Sequence, residues 1–506
     1  MFTIDISDHA AAYQVLLARD ARFDGCLFVG VTSTGIYCRP ICRVRTPKPE
    51  NCRFFSAPSQ AEAEKFRPCL KCRPEIAPGR GFDAGLAWTI MDASRTLARQ
   101  AAQTLDSQAA SGNAPRLAEV AAKLGVSDRH LRRIFQAEHG VTPVQYLQTR
   151  RLLLAKQLLT DTHLPITQVA SASGYQSLRR FNAAFAENYR MSPSRLRGDA
   201  TEEGVSTSDS LQITLSYRAP YDVERLMKFI AQRAIPGVEQ VDGLRIRRTV
   251  RANALGPATL HKAAWMAAEF VPAKARVLLS FSPEWANASA AVAAAARRWL
   301  DLDAAPHAVQ SVLADLPGDE GLRLPGSLDG FELAVRAVLG QQVTVAGART
   351  LASRFVQRFG TEVLTPWPDI NRAFPSPESL ANVPIERIAE LGIIRSRAGA
   401  ILALAQAWPD LLPCLASPQT PDALIARLVA LPGIGPWTAS YIAMRALSWP
   451  DIFLPNDVAL LKAMKQLFST QNQRQADAHA QRWQPWRSYA VLHLWNSLEK
   501  PPKDST

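Results

Sequence analysis

Four cysteines in two close pairs constrain this chain more than any other feature: Cys38-Arg-Pro-Ile-Cys42 and, beyond a basic loop, Cys69-Leu-Lys-Cys72. Six of the seven cysteines fall before residue 73, and only Cys414 stands elsewhere. The opening Met-Phe-Thr-Ile-Asp-Ile-Ser-Asp carries acids and lacks the apolar core of a secretory signal. A disulfide framework is therefore not expected, and local metal or thiol chemistry is. Two such pairs suit one tetrahedral Zn2+ with Cys38, Cys42, Cys69 and Cys72 as ligands. On spacing alone a purely structural zinc is the favoured reading. Cys26 and Cys52, unpaired by spacing, read as packing residues.

A chain of 506 residues is too long for one core and implies roughly three or four domains. With 47% hydrophobic and 20% charged residues it is globular rather than disordered. The net charge of +13 suits a polyanionic partner, because cationic side chains that neutralise phosphates release counterions. Many soluble proteins are basic, so charge alone decides little. The most apolar stretch, around Ala288–Ala296, is short and followed by Arg297 and Arg298, so no membrane span is expected. Turn-rich stretches at Pro74–Phe82, Thr104–Asn113 and Asp199–Ser210 read as boundaries. After the last, Leu211–Tyr217, Leu244–Val250 and Arg276–Phe281 read as strands. From about Pro325 to Leu498 the pattern is helical.

Between the first and third boundaries the chain twice repeats helix, glycine-containing turn and helix. The first copy is Leu117–Leu124, Gly125-Val-Ser127, Arg129–Glu138; the second is Ile166–Ser173, Gly174-Tyr-Gln-Ser177, Leu178–Asn188. A long helix over about Val144–Leu159 joins them. One such motif is easily imitated by any short helical pair; two in tandem are specific. The second helices carry Arg129, His130, Arg132 and Arg133, then Gln176, Ser177, Arg179, Arg180 and Asn182. These types can pair with guanine and adenine edges in the major groove or hold phosphates. Phe135, Phe181 and Phe185 are assigned to the cores.

Further on, Leu431-Pro-Gly-Ile-Gly435 reads as a helix-hairpin-helix turn. Gly433 and Gly435 let backbone approach a phosphate beside a helix N-terminus. Phe453-Leu-Pro-Asn-Asp457 then sets a carboxylate after a proline-defined turn, where Asp457 can also cap a helix over Val458–Leu467. Trp437, Tyr441 and Trp495 are aromatic residues that pattern alone assigns to core packing.

Four resemblances rest on these residues. Phe28–Arg45 with Phe66–Cys72 resembles the Ada methyl-acceptor family, which implies Cys38 as zinc-bound nucleophile toward DNA methylphosphotriesters. It also implies Thr34, Arg43, Arg45 and Arg67 at the DNA backbone. The tandem motif, ending in Met-Ser-Pro-Ser-Arg-Leu-Arg197, resembles the AraC-type DNA-binding module. Leu431–Asp457 resembles the helix-hairpin-helix glycosylases, which implies a catalytic Asp457. Leu322–Gly326, Phe331–Gln342 and Arg482–Trp495 narrow this to the 3-methyladenine DNA glycosylase II (AlkA) family, in which Trp437, Tyr441 and Trp495 would line the base pocket. Trp437-Thr438 stands where lyase-type relatives hold a lysine, so a monofunctional hydrolase is expected. Gln342 stands where that family inserts an apolar wedge. Cys414, in Leu-Pro-Cys-Leu, does not match the Ada family's second acceptor, so no O6-methylguanine repair is expected.

The resulting expectation is a multidomain, mainly α protein. A small zinc-bound α/β domain spans 1–82 and an all-α AraC-type module 83–200. An antiparallel α+β domain spans 208–318 and an all-α helix-hairpin-helix glycosylase domain 319–500. The function expected is excision of alkylated bases together with methyl-triggered transcriptional activation. The rivals are an activator with a weak or inactive glycosylase half, and a zinc-stabilised DNA-binding protein with a dead glycosylase fold. Expected partners are double-stranded DNA, damaged and promoter, and RNA polymerase; one Zn2+ and no organic cofactor are expected, in a monomeric, cytoplasmic protein.

Overall fold

The computed structural model describes residues 5–79, 90–110, 117–200, 210–255, 262–318, 320–416 and 420–498. The chain divides into two compact units, Met1–Ala219 with Ala273–Ala294, and Pro220–Pro272 with Ala295–Thr506.

In the first unit, strands Cys52–Phe55, Phe28–Val31, Ile36–Cys38 and Arg67–Pro68 form a sheet in that order. The first three pair antiparallel, and Arg67–Pro68 runs parallel to Ile36–Cys38. Strand alternation sends Val29 to one face, with Ala12 and Leu16 of helix His9–Ala18, and Phe28 to the other, with Tyr37, Phe55 and Phe66. Gly30 is needed because a Cβ there would lie 2.8 Å from the Phe55 ring.

The helical module follows with Ile90–Ala110, Leu117–Lys123, Asp128–His139, Pro143–Asp161, Ile166–Ala172, Leu178–Tyr189 and Pro193–Ala200. Local chemistry sets these boundaries. Ser127 and Ser177 accept from the backbone of His130 and Arg180, capping the second helix of each pair. Thr142 and Gln145 form a reciprocal capping box, with Pro143 opening the long helix. Gly125 and Gly174 take φ of +69° and +78° at equivalent turns. Phe135, Phe181 and Phe185 are fully buried, as expected. Thr104–Ala110, read as part of a boundary, is instead the end of helix Ile90–Ala110; of the other boundary residues, 80–82, 111–113 and 201–209 lie outside the described residues.

Directly after Cys72, the turn Pro74–Ile76 is locked onto the long helix. Lys156 Nζ lies 2.6 Å from Glu75, Arg73 Nε 2.9 Å from Glu75, and Arg73 Nη1 2.6 Å from Asp161. Burial pushes the Glu75 carboxyl up, but Lys156 and Arg73 outweigh it and hold it below the usual range. Breaking such a buried group typically costs about 3–5 kcal/mol, because the remaining charge has no water to turn to. Strands Leu211–Ser216 and Arg276–Phe281 pair antiparallel in this unit, and Asp161 accepts from Thr214 N at 3.0 Å.

The second unit holds an antiparallel meander, Glu239–Asp242, Arg245–Val250 and Ala264–Val271. Beside it lies helix Gly330–Leu339, buried over most of its length. A charge square joins the two: Arg248 pairs with Glu332 (2.7 Å) and Glu239 (3.3 Å), and Arg336 with Glu239 (2.7 Å) and Glu332 (2.8 Å). Ala264–Val271 escaped the strand reading because its residues are buried with no polar alternation. The helical run after Pro325 is interrupted by a short ladder, Thr361–Glu362 with Arg372–Ala373. A longer apolar stretch, Arg395–Leu415, mean hydropathy 1.3, is long and apolar enough to cross a membrane by length and composition. That helix packs against Gly330–Leu339, Pro377–Leu380, Ile385–Ala389 and Asp422–Val429 of the same unit.

Candidate functional sites

The sheet edge of the first unit builds the cysteine cluster. Cys38 ends strand Ile36–Cys38, a turn closed by Cys42 N donating to Arg39 O (3.1 Å) brings Cys42 back, and Cys69 follows the parallel strand with its N–H on Tyr37 O (3.0 Å). All four ligand atoms lie within 4.8 Å of one another, and each cysteine is less than a tenth exposed. Zinc–sulfur bonds of about 2.3 Å in a tetrahedron require sulfurs about 3.8 Å apart, so the donor set fits Zn2+. The backbone N–H of Arg39 donates to Cys72 Sγ at 3.3 Å. Its buried guanidinium donates to both carboxylate oxygens of Asp24, to Oδ1 at 2.8 Å, and to Cys72 O at 3.1 Å. The sequence reading missed this brace; the only signal was an arginine between two ligands. Cys52 is buried in the helix-side core as expected, whereas Cys26 is half-buried with Sγ 3.5 Å from Arg218.

The other residues named for this domain lie on the ligand-bearing segments. Thr34 is exposed in the turn leading to Cys38, Arg43 and Arg45 are exposed just after Cys42, and Arg67 is half-buried two residues before Cys69. In the helical module Arg129, Arg132, Arg133, Gln176, Arg179, Arg180 and Asn182 are all exposed on or beside the second helices of the pairs. Arg132 is engaged by Asp128 at 2.9 Å, an exposed pair within one helix.

In the second unit, Leu431–Gly435 connects helices Asp422–Val429 and Pro436–Ala446. Gly433 takes φ +79°, and a Cβ there would meet Ala400 at 2.9 Å; Gly435 caps the following helix with open space around it. Both glycines are exposed. Asp457 is 7% exposed and caps Val458–Phe468, its Oδ1 accepting from Leu460 N at 2.7 Å. Two indoles hold the same carboxylate: Trp437 Nε1–H donates to Oδ2 at 2.7 Å and Trp495 Nε1–H to Oδ1 at 3.3 Å. The Trp437 and Tyr441 rings lie parallel with centroids 5.2 Å apart, and Trp495 is tilted 6.4 Å from Tyr441. The structure thus brings Asp457, Trp437, Tyr441 and Trp495 together.

Arg445, one turn beyond Tyr441, completes the group. It donates to the Tyr441 hydroxyl (2.7 Å) and to the carbonyls of Pro325 (2.7 Å) and Gly326 (3.2 Å). Burial pushes the Tyr441 phenol up, but Arg445 and Arg233 outweigh it and hold it below its usual value. Sequence reading did not single out Arg445, although its four-residue spacing from Tyr441 placed both on one helix face.

Comparison with known proteins fits this arrangement end to end. Over 507 aligned residues, 98% of this chain and 97% of the relative, the chain is 35% identical to the "Probable bifunctional transcriptional activator/DNA repair enzyme AlkA" of Mycobacterium tuberculosis. The chain belongs to that bifunctional family. Its second half is 36% identical to the "DNA-3-methyladenine glycosylase 2" of Escherichia coli, covering 56% of this chain and 96% of the relative. Its first half is 31% identical to the "Bifunctional transcriptional activator/DNA repair enzyme AdaA" of Bacillus subtilis, over 37% of this chain and 81% of the relative. Four family models match in succession: the metal binding domain of Ada at 11–75, a helix-turn-helix domain at 120–199, the AlkA N-terminal domain at 212–329, and the HhH-GPD superfamily of base excision DNA repair proteins at 335–488. The metal-binding model contains all four cysteines of the cluster, and the last contains Gly433, Gly435, Trp437, Tyr441 and Asp457. The protein is a multidomain, mainly helical DNA-binding protein with a four-cysteine Zn2+ site.

Proposed function

We propose that this protein repairs alkylated DNA and regulates that repair, and that Asp457 and Cys38 are its two reacting groups. The observation that carries the enzymatic half is the buried Asp457 carboxylate held by Trp437 and Trp495 beside Tyr441. A 3-methyladenine or 7-methylguanine base is cationic and weakly attached to its sugar. Trp437, Tyr441 and Trp495 offer π faces to such a ring, each contact contributing roughly 0.5–2 kcal/mol. The C1′–N bond breaks, and its electron pair leaves with the base. Asp457 stabilises the positive charge left on the sugar and receives the proton of the water that attacks C1′. The product is an abasic site, and without an amine nucleophile beside Trp437 the strand stays intact. Gly433 and Gly435 approach a phosphate of the same strand.

In the zinc domain the Cys38 sulfur forms a bond to the methyl carbon of a methylphosphotriester, while the carbon–oxygen bond breaks and a phosphodiester anion leaves. Bound Zn2+ supplies a thiolate at neutral pH. The triester is uncharged, so it does not repel that thiolate as ordinary phosphate does. Thr34, Arg43, Arg45 and Arg67 bind the backbone around it. Four thiolates on a divalent cation leave two excess negative charges, and methylation leaves one. Weaker repulsion from promoter phosphates then strengthens binding through Arg129, Arg132, Arg133, Gln176, Arg179 and Arg180. The transfer consumes the site, which suits a sensor. We further propose a monomer that acts in the cytoplasm and contacts RNA polymerase from its activator half. An inactive glycosylase half is not favoured, because the relatives span both halves.

The test is product analysis on methylated duplex DNA. We expect free 3-methyladenine and abasic sites that break only after alkali. Strand cleavage before alkali, or no free base, contradicts the monofunctional reading.

A further inference from the structure

The cysteine cluster and the second helix-turn-helix pair are built into one another. Strand Arg67–Pro68, which leads to Cys69, pairs with Ile36–Cys38, Ile36 opposite Arg67 and Tyr37 opposite Pro68. The same strand meets the end of helix Leu178–Tyr189: Tyr189, Met191 and Leu196 share a small cleft with Arg67, Pro68 and Leu70. At this seam the Glu62 carboxyl is buried, accepting from the Tyr37 hydroxyl at 3.0 Å, with Thr149 and Tyr189 against it. Tyr189 is 3% exposed and closes the ladder Phe181, Phe185, Tyr189, with ring centroids 5.7 and 4.7 Å apart. Such a seam cannot slide without orphaning buried polar groups, so the helix end is held at a fixed place beside the zinc ligands.

Arg190 stands at that place. It ends helix Leu178–Tyr189 in the left-handed region, φ +55°, with its backbone N–H on Ala186 O at 2.9 Å. Its guanidinium reaches the turn before Cys38: Nη1 lies 3.8 Å from where a Cβ on Gly35 would stand. Gly35 takes φ +65°, and its carbonyl accepts from Arg67 N at 2.9 Å, so Arg67 and Arg190 both adjoin the turn that carries Thr34. Arg190 is exposed, and among the described residues its guanidinium makes no hydrogen bond or ion pair. Many surface arginines are unpaired; what sets this one apart is a fixed seat beside the acceptor turn.

A neutral triester is flanked on its own strand by charged phosphates, about one per 3.4 Å of helix rise. Bringing Cys38 to the methyl carbon therefore brings those anions toward a cluster with excess negative charge, a repulsion that a cation beside the turn offsets. Arginine suits the task because two of its N–H groups can hold two phosphate oxygens at once. Resting on the methyl-acceptor reading above, we propose that Arg190 binds a phosphate flanking the methylphosphotriester, so that the DNA-reading module completes the acceptor site.

The test uses the full chain and a duplex of arbitrary sequence carrying one methylphosphotriester. Asparagine tolerates the left-handed backbone, so Arg190→Asn removes the charge without straining the helix end, and Arg190→Lys keeps the charge. Zinc content and unfolding midpoint should match wild type in both. The second-order rate of methyl transfer at low salt is expected to fall about tenfold in Arg190→Asn, as for one lost charge-assisted contact, and to recover most of that in Arg190→Lys. The slope of log rate against log salt should be shallower by about 0.9 in Arg190→Asn, one phosphate fewer, which a merely structural helix end would not change. A wild-type rate in Arg190→Asn, or a loss with the salt slope unchanged, overturns the proposal. So does a defect confined to promoter binding, which makes Arg190 a backbone contact of the second helix-turn-helix alone. Absence of methyl uptake by wild type counts against the acceptor reading itself. Binding to a duplex with one methylphosphonate linkage, uncharged and unable to give up its methyl, then decides the role of Arg190. Wild type is expected to prefer it to the ordinary duplex and Arg190→Asn to lose that preference; the same preference in both overturns the proposal.

Discussion

Trp437→Phe separates two roles that one indole combines. Phenylalanine keeps an aromatic face parallel to Tyr441, where the rings now lie 6° from parallel at 5.2 Å. It removes the N–H that donates to Asp457 Oδ2 at 2.7 Å. A hydrogen bond to a charged group in a site shielded from water contributes about 1.5–3 kcal/mol. Since about 1.4 kcal/mol is a factor of ten in rate, the loss should be roughly tenfold to a hundredfold. It should fall equally on cationic 3-methyladenine and neutral hypoxanthine, because the carboxylate acts on the sugar in both. Trp495→Phe removes a longer bond, 3.3 Å, and should cost only a few-fold. The assay is single-turnover release of each base from defined duplexes, with DNA affinity measured in parallel. Trp437→Phe rates within about twofold of wild type on both bases would refute the argument that this N–H positions the carboxylate. A loss confined to 3-methyladenine would reassign Trp437 to stacking alone.

Elemental analysis should find one Zn2+ per chain, lost on Cys69→Ser, a ligand not proposed to accept methyl; zinc-free purified protein contradicts the site. Exposure to methylphosphotriester DNA should raise promoter affinity in wild type but not in Cys38→Ser, and the gain should shrink with salt; equal binding before and after verified methylation refutes the electrostatic switch. Lys156→Met should destabilise the first unit by about 3–5 kcal/mol in chemical denaturation, since it breaks the buried pair with Glu75; a loss below about 1 kcal/mol contradicts that pair's role. Burial pushes the Glu62 carboxyl up to about 8 from its ordinary 4.5. The native state therefore holds a proton the unfolded chain has lost, so stability should fall as pH rises between those values, and Glu62→Gln should flatten that slope; parallel slopes refute it.

How much of this was legible follows the range of the interactions. The ligand pairs 38/42 and 69/72 each lie within one turn, and both helix-turn-helix units announce themselves through Ser127, Ser177 and Gly125, residues that act on neighbours three or four positions away. Asp457 as a cap was readable for the same reason. Its indole partners lie 20 and 38 residues away, so only the family resemblance put Trp437 and Trp495 in the pocket, and nothing in the sequence revealed their N–H bonds to the carboxylate. The square of Arg248, Glu239, Glu332 and Arg336 joins segments nearly a hundred residues apart, and each charge alone looks like solvated surface. Thr104–Ala110 was obscured by small and polar residues that a helix also accommodates.

The central claim rests on the charge of one carboxylate. Asp457→Asn keeps the size and the capping acceptor for Leu460 N while removing the negative charge. Folding and DNA affinity should survive, and release of 3-methyladenine should fall by orders of magnitude, in line with the roughly 2.7–4 kcal/mol or more of a lost transition-state contact. A folded Asp457→Asn protein that releases 3-methyladenine at close to the wild-type rate would contradict the account.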